Sequence, residues 1–174
     1  MIYDIWQKDN KSEFIEINHY RRHFKTINTP DEIILPVPLA CNMIIQYAQC
    51  HNINDLLQIF NIIDNYFPKY SMNYKNIEML FPCNMFKLPH EDFNKYCEFV
   101  FSVLEIYNNI MKFKSNNDVE MHMASHFAPQ LIKYQSRGYL FERIGTIFFL
   151  NYFRNKKINF QNIICISDKI ETKN

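Results

Sequence analysis

Glycine is nearly absent: Gly138 and Gly145 are the only two in 174 residues. A P-loop needs two glycines five apart followed by lysine, and a Gly-x-Gly-x-x-Gly turn needs three; Gly138 and Gly145 are seven apart, so both are excluded. There is no Asp-x-Asp, the pair that fixes a divalent cation against a pyrophosphate. There is no Gly-x-Ser-x-Gly elbow and no Cys-x-x-Cys. The five cysteines, Cys41, Cys50, Cys83, Cys97 and Cys165, are widely spaced and odd in number. That pattern argues against a disulfide framework or zinc ribbon and for free thiols in a reducing compartment. Neither sign of charge dominates, with 19 Lys+Arg against 18 Asp+Glu. A general nucleic-acid or anionic-membrane binder would concentrate positive charge, so no nucleic-acid partner is expected. No run of about 18 apolar residues exists to span a membrane. The nearest approach, residues 144–153, is too short and is bounded by Arg143 and Arg154. Met1-Ile2-Tyr3-Asp4 does not open a signal peptide.

What the chain has in quantity is apolar and aromatic surface. Hydrophobic residues make up 48%, including 16 Phe and 11 Tyr. Such a chain offsets its conformational entropy by burial, so disorder is not expected. Its length suits one domain, residues 1–174, on a scale of roughly 100–200 residues per domain.

Residues 3–8 read as the end of a helix, and 13–18 alternate as a strand. Residues 32–37 form a short apolar strand closed by Pro36 and Pro38. A helix is expected over 55–66, capped by Asn54 or Asp55 and ended by Pro68. Residues 80–88 read as a strand with an irregular start at Pro82-Cys83-Asn84. Pro89 then opens a helix over 90–113, with Glu91 and Asp92 at the positive end of its dipole. Its core face is expected to carry Phe93, Tyr96, Cys97, Val100, Phe101, Leu104 and Tyr107. Residues 114–120 read as a polar loop, 139–154 as a helix and 163–166 as a last strand. Strands alternating with helices place the chain in the α/β or α+β class.

Several polar groups could carry chemistry. His19 and His23 are four apart, as are His122 and His126 near Glu120, a spacing that on a helix can hold zinc. No third ligand completes either pair, so hydrogen-bonded or surface histidines fit better and a metal hydrolase is a remote reading. Arg21 and Arg22 leave the strand at 13–18; two guanidiniums there either clamp a phosphate or form ordinary solvated ion pairs. Asn84 either meets a sugar hydroxyl or caps a turn. Glu142 beside Arg143 is either a general base or half of a structural pair.

Four segments, in order, carry a resemblance. They are Tyr3-x-x-Trp6 with Phe14-Ile15-x-Ile17-x-His19-Tyr20-Arg21-Arg22-His23-Phe24; Phe81-Pro82-Cys83-Asn84-Met85-Phe86; Phe93-x-x-Tyr96-Cys97-x-Phe99-x-Phe101; and Tyr134-Gln135-x-Arg137-Gly138-Tyr139-Leu140-x-Glu142-Arg143. Over about residues 3–154 the chain resembles the bacterial capsular and exopolysaccharide synthesis glycosyltransferases long known only as a domain of unknown function. The resemblance implies an α/β fold: a partial GT-A-like (Rossmann-like) mixed sheet flanked by helices, with a helix-rich C-terminal half. It implies hexosyltransferase-like transfer from a nucleotide-sugar donor to a glycan or lipid-linked glycan acceptor. His19, Arg21 and Arg22 stand where a metal-binding Asp-x-Asp usually follows a central strand. They would therefore hold the donor diphosphate without a metal cofactor. Asn84 and Arg143 would face the sugar or acceptor, and Glu142 would deprotonate the acceptor hydroxyl. Family members carry a further N-terminal stretch, so the resemblance implies the acceptor-side part, with a partner chain supplying the rest. A non-catalytic remnant or interaction subunit is the alternative. The expected location is cytoplasmic, peripheral to the inner membrane face where the acceptor is lipid-linked.

Overall fold

The computed structural model describes residues 2–8, 12–19, 21–25, 31–49, 51–126 and 136–165; within the helices, the side chains at 120, 123–126, 136 and 137 are outside the description. Helix α1 (Ile2–Trp6) precedes strands β1 (Phe14–Ile17), β2 (Arg22–Phe24), β3 (Ile34–Pro36) and β4 (Leu39–Ala40). Helices α2 (Met43–Ala48) and α3 (Ile53–Tyr66) follow, then β5 (Met79–Leu80) and β6 (Phe86–Pro89). The C-terminal half holds α4 (His90–Ile110), α5 (Asn116–His126) and α6 (Ser136–Tyr152), closed by β7 (Asn159–Gln161) and β8 (Ile163–Cys165).

The central sheet has the order β1-β6-β3-β7. It is mixed: β6 runs antiparallel to β1 and β3, while β7 lies parallel to β3. Two separate ribbons, β2-β8 and β4-β5, lie outside it. The expected α/β class, with a mixed sheet flanked by helices and a helical C-terminal half, is what the chain adopts.

The core forms where the sheet meets α4 and α6. In α4, Phe93, Tyr96, Cys97, Val100 and Tyr107 are buried at helical spacing, as the sequence pattern requires. Phe99 and Val103 are buried as well, whereas Phe101 and Leu104 are only partly covered. The Tyr96 ring lies 4.7 Å from Phe86 and 5.3 Å from Phe149, so strand β6 and both helices meet around it. Gly145 is what allows that approach: a Cβ there would lie 3.1 Å from the Tyr96 hydroxyl.

Several boundaries differ from the sequence reading for local reasons. Helix α3 starts at Ile53 because Asn52, not Asn54 or Asp55, caps it, its side chain accepting from the Asn54 amide at 3.1 Å. Asp55 instead points inward. Helix α4 stops at Ile110, where Lys112 turns left-handed (φ 57°) and the Phe113 amide reaches back to the Asn108 carbonyl at 3.0 Å. That is a Schellman closure without the usual glycine. The stretch 114–120 is no loop: α5 begins at Asn116. The Asp118 carboxylate accepts from the Lys114 and Ser115 amides at 2.7 and 2.8 Å, while Ser115 Oγ accepts from the Asp118 amide at 3.2 Å. This reciprocal cap starts a helix that has no strong apolar stripe. Helix α2, capped by Asn42, the ribbon strands β2 and β4, and strand β7 at the edge of the central sheet have no counterpart in the sequence reading. The last strand is described to Cys165; Ile166 lies outside the described residues. Among the described residues, no helix is long and apolar enough to cross a membrane.

Candidate active site

The site is assembled by strand register. Ile17 pairs with Phe86 in the antiparallel β1-β6 ladder, so the end of β1 lies beside the start of β6. His19, Arg21 and Arg22 leave β1 at that point, and His19 bridges to Arg22. Immediately before β6 lies the turn Pro82-Cys83-Asn84. Both Cys83 (φ 70°) and Asn84 (φ 51°) are left-handed, a conformation costly for a side chain such as cysteine. Consecutive residues of this kind persist only when their surroundings hold them.

Helix α6 does the holding. Gly138, Glu142 and Thr146 recur every four residues, so they form one stripe along the helix. Each engages the segment entering β6. The Asn84 amide side chain donates to the Gly138 carbonyl at 3.3 Å. The Cys83 backbone N–H donates to Glu142 Oε1 at 2.7 Å. The Phe81 N–H donates to Thr146 Oγ1 at 3.1 Å, and that hydroxyl donates in turn to the Glu142 carbonyl at 2.8 Å.

Glu142 is thus a turn anchor as well as a carboxylate. Its other oxygen accepts from Arg143 Nη1 at 3.1 Å. Burial pushes its pKa up; the Cys83 N–H, Arg143 and Arg22 each pull it down. The side chain keeps 16% of its exposure, and its two hydrogen bonds leave the carboxylate with further acceptor capacity. Arg143 has no exposed surface. Besides Glu142 it donates to the Tyr139 carbonyl and to Gln46, and its guanidinium lies 5.2 and 5.4 Å from the Tyr47 and Tyr139 rings. Any action of Arg143 on a ligand therefore runs through those partners.

Arg22 is partly exposed, and its Nη1 donates to Cys83 Sγ at 2.7 Å. It also bonds the Cys165 thiol, which stands opposite it in the β2-β8 ribbon. Sulfur is a weak acceptor, so this guanidinium keeps donor capacity that a carboxylate partner would absorb. Arg21 is exposed, and its amide donates to His19 Nδ1 at 3.2 Å. Burial lowers the pKa of His19, and the charges of Arg22 and Arg21 lower it further, so all three favour the neutral imidazole. The structure therefore gathers Arg22, Asn84, Glu142 and Arg143 around one turn, with His19 and Arg21 at its edge. Sequence reasoning assigned no role to Cys83, Gly138 or Thr146; the four-residue period in α6 was the signal for Gly138 and Thr146, and Cys83 had only its place in the irregular 82–84 stretch.

Beyond Asn84 and Gly138 opens a cavity of about 640 Å³, walled by Tyr3, Phe101, Leu104 and Phe141 with Glu105 on its border. Of the histidines considered for zinc, His122 Nε2 lies 2.9 Å from Asp55, which also accepts from the Tyr107 hydroxyl at 2.9 Å. The His126 side chain lies outside the described residues.

The chain is similar in fold to the apo structure of the bifunctional glycosyltransferase WbbM, with a TM-score of 0.68 at 15% identity. The match covers 96% of this chain but 36% of that one. The likeness supports a GT-A-like arrangement of the mixed sheet and its helices. No curated protein matches the chain. The family described as "Domain of unknown function (DUF4422)" matches residues 1–137, most of the chain, and the protein belongs to that family.

Proposed function

We propose that this chain takes part in glycosyl transfer from a nucleotide-sugar donor to a growing surface glycan, capsular, exopolysaccharide or lipopolysaccharide. The observation that carries the reading is Arg22: a partly exposed guanidinium, partnered by two thiols, next to the buried Glu142–Arg143 pair. Departure of a nucleoside diphosphate develops negative charge, and a fixed cation with spare donors stabilises it. Arg21 and His19 complete that edge, His19 as a neutral hydrogen-bonding group. The diphosphate is held without a divalent metal. Glu142 is the base for the acceptor hydroxyl; burial raises its proton affinity while Arg143 keeps it ionisable. The cavity beyond Asn84 is the acceptor side, where aromatic walls stack on sugar faces and Asn84 and Glu105 meet hydroxyls. A lipid-linked acceptor would bring the protein to the inner membrane face.

The test is calorimetric titration with UDP, with and without magnesium or manganese, on the wild-type chain and on an Arg21→Ala/Arg22→Ala variant. Binding unchanged by metal and weakened at least tenfold in the variant is the expected result. A natively folded chain that binds no UDP would overturn the catalytic reading and leave an interaction subunit.

A further inference from the structure

The β2-β8 ribbon and the 82–84 turn bring two thiols onto one guanidinium. In the ribbon, Arg22 pairs with Cys165 and Phe24 with Ile163. Side chains two apart share a face, so Arg22, Phe24, Ile163 and Cys165 all project to the same side. That side packs on β6 and its entry turn: Phe24 is buried with Ile34 and Met85, and both Ile163 and Cys83 pack against this small cluster. Cys83 and Cys165 therefore approach each other over Arg22, which donates to Cys83 Sγ at 2.7 Å and also bonds Cys165. Both thiols thus share Arg22 as a partner. Cys165 is exposed and Cys83 partly so, and neither is in a disulfide. Burial raises the pKa of the Cys83 thiol and Arg22 pulls against that rise; the thiolate is the form that attacks a disulfide.

We propose that Cys83 and Cys165 are a reversible dithiol–disulfide pair, closed by exchange with a small-molecule disulfide. The exposed Cys165 thiolate attacks one sulfur of that disulfide and releases the first small thiolate. Cys83, as thiolate, then attacks Cys165 Sγ in the mixed disulfide; the Cys83–Cys165 bond forms and the second small thiolate leaves. Two protein thiols are oxidised, one small disulfide is reduced, and the two thiol protons end on the released thiols. Closure takes both sulfurs away from Arg22 and ties the turn that Glu142 anchors to β8. It does not depend on the sugar-transfer reading.

The experiment incubates the full chain with oxidised glutathione and maps its peptides by mass spectrometry without reduction. The expected product is a Cys83–Cys165 cross-linked peptide pair, reversed by dithiothreitol. It should be absent in Cys165→Ser and undiminished in Cys41→Ser. Because Cys165 is exposed, its serine variant should keep the wild-type melting temperature, which shows that loss of the cross-link is not unfolding. Stable glutathionylation of Cys165 with Cys83 still reduced would overturn the proposal. So would a cross-link joining Cys165 residues of two chains.

Discussion

His51 shows how a single buried side chain sets a pH dependence. It is 6% exposed, its ring lying 4.9 Å from Tyr47 and 4.4 Å from Tyr139. Burial, with Arg143 adding to it against the pull of Asp55, pushes its pKa down to about 4. The folded state holds His51 neutral where the unfolded chain would protonate it below about 6.5. Its contribution is therefore intact above about pH 6.5 and is lost as pH falls toward 4. The full loss is about 3 kcal/mol, because each tenfold change in proton affinity is about 1.4 kcal/mol. Glu142 acts in the opposite sense. Its raised pKa favours the folded state below the ordinary carboxyl range and loses that benefit as pH rises through the folded value. A thermal melt series from pH 7 to 4.5 should show the wild type losing several degrees more than a His51→Phe variant. Parallel curves for the two proteins would mean that His51 is protonated without cost.

Elements differ in how far their sequences declare them. Helices α4 and α6 are legible because their apolar residues recur at helical spacing and because Pro89 marks the start of α4. Strand β1 is legible because Ile15 and Ile17 alternate with Glu16. Helix α5 is not, since its residues are mostly polar and its start depends on a single reciprocal cap. The pattern Ser115-x-x-Asp118 was its sequence signal, and only the geometry shows both halves of the cap in use. Strand β7 is hidden for another reason: Asn159-Phe160-Gln161 has no distinctive pattern and becomes a strand by lying parallel to β3. The cap makes a test at this scale. In Asp118→Ala the Lys114 and Ser115 amides lose their acceptor, at a cost of about 1 kcal/mol. Lower helical ellipticity and faster amide exchange, both localised to 114–122, are the expected readouts. Unchanged exchange there would show that packing of Val119, which is 2% exposed, holds α5 without its cap.

At the scale of the whole molecule, the site is visible in the sequence only as separate strings. His19 to Arg22, Pro82 to Asn84 and Glu142-Arg143 each stood out, but nothing in a string states which others it will meet. Their meeting depends on the β1-β6 register and on α6 lying along the entry to β6, both of which are tertiary facts. The same architecture divides the molecule by stability. Helices α4 and α6 and strand β6 share the aromatic core around Tyr96, which is fully buried. The β2-β8 ribbon has only three residue pairs and touches a small separate cluster. Regions with few buried apolar contacts open locally, without global unfolding. Hydrogen exchange followed by mass spectrometry should therefore find residues 96–107 protected to the global limit and residues 22–24 and 163–165 exchanging orders of magnitude faster. Because Arg22 and Cys83 join the ribbon to the 82–84 turn, bound UDP should slow exchange in 22–24 and 83–86 while leaving 96–107 unchanged. Uniform slowing across the chain would signify general stabilisation by a ligand bound elsewhere, and would separate the diphosphate from Arg22.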